Sequence, residues 1–206
     1  EYRERGPELR RLYKLAVVGV LVVYVQLILG ATMRHYQAGL AIPDLPLAYG
    51  HLLPPMSQAQ LDAANHQRVW NLNLEPVTLT QVWLHFAHRV GAIVVTIALV
   101  TLIGVILLRH RRTLLIPAVT LSLLLLGQLT LGVLTVYFRK PADIASLHVA
   151  VGALVLVTTF SIAVAAMRLY SLRSSTATPG SEVLRRPGSV PVEEHAGRRE
   201  YAPNPA

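Results

Sequence analysis

Three ionisable side chains, His85, His88 and Arg89, stand within five residues of one another inside a long apolar segment. His148 stands sixty residues further on, in an equally apolar run. Ionisable groups are costly in hydrocarbon and are found there with partners. Two neutral imidazoles on facing helices are a natural axial pair for a flat iron macrocycle, so His88 and His148 are the candidate metal ligands. The alternative is a pair of unrelated interhelical hydrogen bonds, common in membrane bundles. His85 is three residues before His88 and shares its helix face. It could serve as a catalytic base, a ligand for another metal, or an interfacial histidine. Neither histidine has the nearby carboxylate or thiolate of a convincing zinc or copper site.

These residues need helices that cross a membrane. The chain of 206 residues is 53% hydrophobic, with a mean hydropathy of +0.47. That is too apolar for an ordinary soluble domain. The apolar residues fall into blocks of membrane-spanning length: Leu15 to about Met33, Thr80 to Leu108, Leu114 to Phe138, and Ile144 to about Leu169. Pro117 lies in the first turn of the third, where proline is tolerated. The expected fold is an all-α, integral membrane four-helix bundle over 15–170, with a cytoplasmic segment 1–14, an outer loop 34–79 and a disordered cytoplasmic tail 171–206. There is no cysteine, which excludes disulfides, thiolate-ligated heme and CxxCH heme attachment.

The formal charge is +8, and fourteen of the nineteen Lys and Arg residues fall before residue 15, in 109–112 or from Arg168 onward. The positive-inside rule then places both termini and the 109–112 turn in the cytoplasm of a cell-membrane protein. The charge is topological, and no nucleic-acid role follows from it. Arg34, Arg89, Arg139 and Lys140 lie towards the opposite rim, where they could meet anionic groups such as heme propionates or snorkel to lipid phosphate.

The four spans form a repeat. Gln26-Leu-Ile-Leu-Gly30 recurs as Gln128-Leu-Thr-Leu-Gly132, and His88-Arg-Val-Gly91-Ala92 as His148-Val-Ala-Val-Gly152-Ala153. Two two-helix units of one orientation imply an axis along the membrane normal. That axis sets His88 and His148 face to face across the bundle, a usual cofactor position. Gly91 and Gly152 are expected to let the ring approach the backbone. Gln26 and Gln128 are expected to bond between helices rather than to a cofactor. The stretch from Arg34 to Tyr49, broken by Gly39, Pro43 and Pro46, is expected to lie over the bundle mouth.

The stretch LGATMRHYQAGLAIPDLPLAYG, the pair His88-Arg89, QLTLG at 128–132 and LHVAVGALVL around His148 resemble the heme A synthase family of cytochrome oxidase assembly. The resemblance covers most of 20–160. It implies a four-helix heme-binding unit, usually present twice in an eight-span chain, and oxidation of a ring methyl of heme O to the formyl of heme A. The catalytic half of that family carries a Glu three residues before its first histidine. Here that position is His85, and Ile42 and Leu45 replace the family's loop Cys and Trp. The chain is therefore most similar to the second half, which holds a heme b, with Arg34, Arg89 and Arg139 as further cofactor contacts. The Glu1 start fits a C-terminal half that works with another four-helix half, or with further copies of itself, and with an electron-transfer partner. A non-catalytic cytochrome b-like module and a cofactor-free assembly protein remain the alternatives.

Overall fold

A computed structural model describes residues 5–109 and 111–176. Five α-helices follow in order: α1 (Arg5–His35), α2 (Gln58–Leu72), α3 (Leu79–Arg109), α4 (Arg111–Tyr137) and α5 (Ala142–Thr176), with a 3-10 turn at Ala38–Leu40. Among the described residues the only β-pairing is an isolated bridge between Ala48 and His51. Stretches Pro7–His35, Leu79–Arg109, Thr113–Tyr137 and Ala142–Leu169 are long and apolar enough to cross a membrane. The fold is an all-α multi-pass membrane architecture. The expected disordered tail lies, from residue 177, outside the described residues.

Local chemistry sets the helix ends. Thr78 caps α3: its Oγ1 accepts from Gln81 N–H at 3.3 Å, and Gln81 Oε1 accepts from Thr78 N–H at 2.9 Å. In α4 the helix breaks at Leu114 (φ −120°, ψ 17°), so Pro117 falls in the first turn of the main segment, where its missing N–H costs nothing. The turn into α5 is closed by Lys140 N–H to Thr135 O at 2.7 Å, with Arg139 and Lys140 both at positive φ. Two non-glycine residues in that region cost about 1 kcal/mol each or more. Several hydroxyls inside the spans bond back one turn, as Thr96 to Ala92 O and Thr159 to Val155 O, both at 2.7 Å, which keeps those donors satisfied away from water.

The spans close into a ring. α1 touches α3 and α5; α4 touches α5 and, less extensively, α3. Hence α3 and α5 stand diagonally opposed, as do α1 and α4. The core of this ring comprises Leu12, Leu99, Leu102, Ile106, Leu121 and Ile162, all inaccessible. Outward residues such as Ile97, Leu123 and Phe160 are more than half exposed, the pattern of a bundle solvated by lipid. At one end Arg109 Nη1 meets Glu8 Oε1 at 2.6 Å, an exposed pair worth under about 1 kcal/mol.

At the other end lies the segment between α1 and α3. It contains α2, a helix within what the sequence reading treats as a polar connection. Ser57 and Gln60 form a capping box at its start, and Leu61, Ala64 and Arg68 form its buried face. A second apolar cluster joins Ala38, Ala41, Ile42, Ala48 and Leu61 to Val82 of α3. The 34–79 segment is thus seated on the end of the bundle.

Candidate functional site

Each half of the repeat builds the same four-residue contact. In the first, α1 supplies Gln26 and Gly30, and α3 supplies His88 and Gly91. Gln26 Nε2 lies 3.1 Å from His88 Nδ1 and donates to His88 O at 2.9 Å. In the second, α4 supplies Gln128 and Gly132, and α5 supplies His148 and Gly152. Gln128 Nε2 lies 3.3 Å from His148 Nε2. Gln26 is nine residues from the end of α1 and Gln128 nine from the end of α4, so both amides lie about 14 Å from the helix ends at 1.5 Å per residue. The histidines stand on diagonal helices, as the repeat requires.

The glycines act by omission. A Cβ on Gly91 would lie 2.1 Å from Gln26 Oε1, and one on Gly152 would lie 3.1 Å from Gln128 Nε2. A Cβ on Gly30 would lie 3.2 Å from His88 Cε1, and one on Gly132 would lie 3.3 Å from His148 Cε1. Each glutamine therefore rests on the glycine of the histidine helix, and each imidazole on the glycine of the glutamine helix. Gly91 and Gly152 thus permit the close helix contact that their size allows, and it is the glutamine amides that use the space. The expected interhelical bonding of Gln26 and Gln128 is present, and its partners are the two histidines. Gly91→Ala should force the Gln26 amide out and cost about 1–3 kcal/mol. Gly104→Ala, where a Cβ meets nothing within 4 Å, should be neutral or stabilising. Thermal unfolding of both variants in detergent checks the contrast.

His85 is buried and faces a different partner. Its Nδ1 accepts from Ile42 N–H at 3.0 Å, which leaves the neutral ring's proton on Nε2. Arg89 also turns to the loop: Nη1 donates to Leu47 O at 3.0 Å and Nη2 to Ile42 O at 2.8 Å, while its buried Nε has no partner among the described residues. Gln81 Nε2 donates to Tyr36 O and Trp83 Nε1 to Pro55 O. The first three turns of α3 thus hold polar main chain of the preceding segment at several points. Arg34 and Arg139 are exposed, at the loop ends of α1 and α4.

Arg68 of α2 is the residue that sequence reasoning missed. It is 3% exposed and donates from Nε to Glu75 O at 2.9 Å and from Nη1 to Leu40 O and Ala41 O, both at 3.0 Å. Tyr49 donates to the same Ala41 carbonyl. Burial pushes the Tyr49 phenol above its ordinary value of 10, against the opposing pull of Arg68, so it stays a donor. Asp44 caps the turn by accepting from Tyr49 N–H at 2.8 Å and Gly50 N–H at 2.9 Å. The capping box at Ser57–Gln60 was the available signal for α2, and through it for Arg68.

Among the described residues, no three His, Cys, Asp or Glu side chains form a group able to hold a metal ion. The arrangement instead offers two imidazoles on opposed helices, with three buried polar atoms around them unpaired: Gln26 Oε1, Gln128 Oε1 and His148 Nδ1. Buried polar atoms normally have partners, so this interior is polar beyond the needs of its own packing. Two imidazoles are donors that would suit a heme iron, and His88 and His148 are the residues that would hold it.

A ring of four spans with a repeated Gln–His contact at matching depth defines a class: multi-pass helical membrane proteins with a paired-histidine interior. Within it, residues 2–160 match the model of the family described as cytochrome oxidase assembly protein, and the chain belongs to that family. It is similar to the heme A synthase of Rickettsia bellii (30% identical over 133 residues, 65% of this chain and 36% of that one). It is also similar to those of Shewanella oneidensis (31%, 74% of this chain and 46% of that one) and Chelativorans sp. (32%, 66% and 36%). The chain thus spans between a third and a half of the length of these relatives. No solved structure matches it.

Proposed function

We propose that the chain is the heme-holding half of a heme A biosynthesis protein, with His88 and His148 as axial ligands to a heme b iron. The observation that carries this reading is the twofold Gln–His contact on diagonally opposed helices. A bound heme supplies one-electron chemistry at its iron. The chain's own residues do the rest. His88 and His148 offer ring-nitrogen lone pairs, Gly30 and Gly132 leave the imidazoles against backbone, and the apolar core below excludes water. Arg89, through its unpaired Nε, and the exposed Arg34 and Arg139 supply positive charge for propionates.

On this reading the loop end faces outward from the cell membrane and both termini are cytoplasmic. The relatives' printed name, heme A synthase, extends the proposal to heme O as substrate and heme A as product, in partnership with a second four-helix unit or another copy and an electron-transfer partner.

A cytochrome b-like electron-transfer role is the second reading, and His85 favours it. That residue stands where the resemblance calls for a Glu, and its Nδ1 is engaged by Ile42 N–H. Cells that supply heme O and express only this chain should yield membranes containing bound heme and no heme A on pigment extraction. Heme A above background would assign the oxidation to this chain and sink the division of labour.

A further inference from the structure

We propose that residues 52–56 form a hook inserted into the lipid leaflet at the loop end of the bundle. Leu52, Leu53 and Met56 are all more than half exposed, while Pro54 and Pro55 between them are buried. Ordered main chain holds these apolar side chains out. Before them, the Ala48–His51 bridge closes a turn, with Ala48 N–H donating to His51 O at 2.7 Å. After them, Met56 N–H donates to Gln60 Oε1 at 2.8 Å, at the start of α2. A contiguous apolar group presented in this way marks a surface that meets something other than water.

Its neighbour on α3 identifies the partner. Trp83 Nε1 donates to Pro55 O at 3.1 Å, and the indole meets Phe86 edge-on with ring centroids 5.7 Å apart. At 3.6 residues per turn, Trp83 points roughly 200° away from His85, whose Nδ1 serves Ile42 of the loop. By the same count Val90, Val94 and Ile97 lie within about 40° of Trp83, and all three are exposed. The preceding segment therefore straddles α3, with Ile42 and Leu47 on the bundle side and Pro55 at the head of the outward stripe. In a lipid-solvated bundle that stripe faces acyl chains. α3 has 31 residues, about 46 Å at 1.5 Å per residue, close to the ~40–45 Å of a bilayer with its headgroups. Trp83 is four residues from its start, about 6 Å in, and so lies in the headgroup layer where tryptophan gathers. The indole N–H there needs a polar partner, and the Pro55 carbonyl supplies it. Residues 52–56 thus share the depth of Trp83, and Leu52, Leu53 and Met56 meet the acyl boundary of the leaflet.

The chain has no cysteine, so one introduced cysteine carries one nitroxide label. The test places labels at Leu53→Cys, Met56→Cys and, as an aqueous control on the exposed side of α2, Asp62→Cys, in the full chain in phosphatidylcholine nanodiscs. EPR power saturation then compares collisions with oxygen, which partitions into acyl chains, and with a nickel chelate, which stays in water. The labels at 53 and 56 should favour oxygen and lie about 5–10 Å below the phosphates, and the label at 62 should favour the chelate. Both positions are exposed, so either variant supplies the reading if the other fails to fold. Labels at 53 and 56 as open to the chelate as the one at 62 would overturn the proposal and leave the hook in water. Labels shielded from both reagents would also overturn it, and would assign this face to a second copy of the chain. Neither result depends on heme.

Discussion

Arg68→Ala should loosen the whole segment between α1 and α3 without unfolding the spans. The guanidinium is buried, has no carboxylate partner among the described residues, and instead gathers the carbonyls of Leu40, Ala41 and Glu75. Hydrogen bonds to charged groups are worth about 1.5–3 kcal/mol each, and removing the donor leaves buried carbonyls bare. The expected loss is about 3–5 kcal/mol, confined to residues 36–78. Hydrogen exchange and limited proteolysis of that segment measure it. Arg68→Lys should recover only part, since a point ammonium cannot reproduce a planar fork reaching two sides. Arg34→Ala, on an exposed residue, should shift stability by less than about 0.5 kcal/mol. Wild-type protease resistance in Arg68→Ala would show that the apolar cluster of Ile42, Leu61 and Val82 holds the loop alone.

Arg68 also marks where sequence reading stops. The four spans are legible because a bilayer demands long apolar runs, and 20 such residues leave little room for another interpretation. The repeat is legible because Gln-x-x-x-Gly and the histidine–glycine words recur in order. The loop obeys no such period. Its order comes from side chains that capture main-chain groups far away in sequence: Arg68 to Leu40, Arg89 to Leu47, His85 to Ile42. Composition does not encode those pairings, so Arg68 reads as an ordinary surface charge and the hold of Arg89 on the loop does not show. The glycines are legible as points of close helix contact, but not the side chains that fill them. Only the packed helices show that Gly91 makes room for Gln26.

His148→Ala should abolish low-spin heme binding, with His88→Ala doing the same. A bis-imidazole iron that loses one axial ligand becomes five-coordinate and high-spin or leaves the site, and affinity should fall by about a hundredfold or more, at or beyond the 10–100-fold typical of removing only a supporting contact. His85→Ala should preserve the low-spin spectrum, since its Nδ1 serves the Ile42 N–H. It should instead expose the 36–49 stretch to exchange. A pattern in which His85→Ala loses the spectrum and His148→Ala keeps it would reassign the ligands within α3.

The most direct measurement is the EPR spectrum of the purified full chain titrated with ferric heme. The account predicts saturation at one heme per chain and a single low-spin signal of bis-imidazole type. No heme uptake, or a high-spin signal at saturation, would contradict a heme held between His88 and His148.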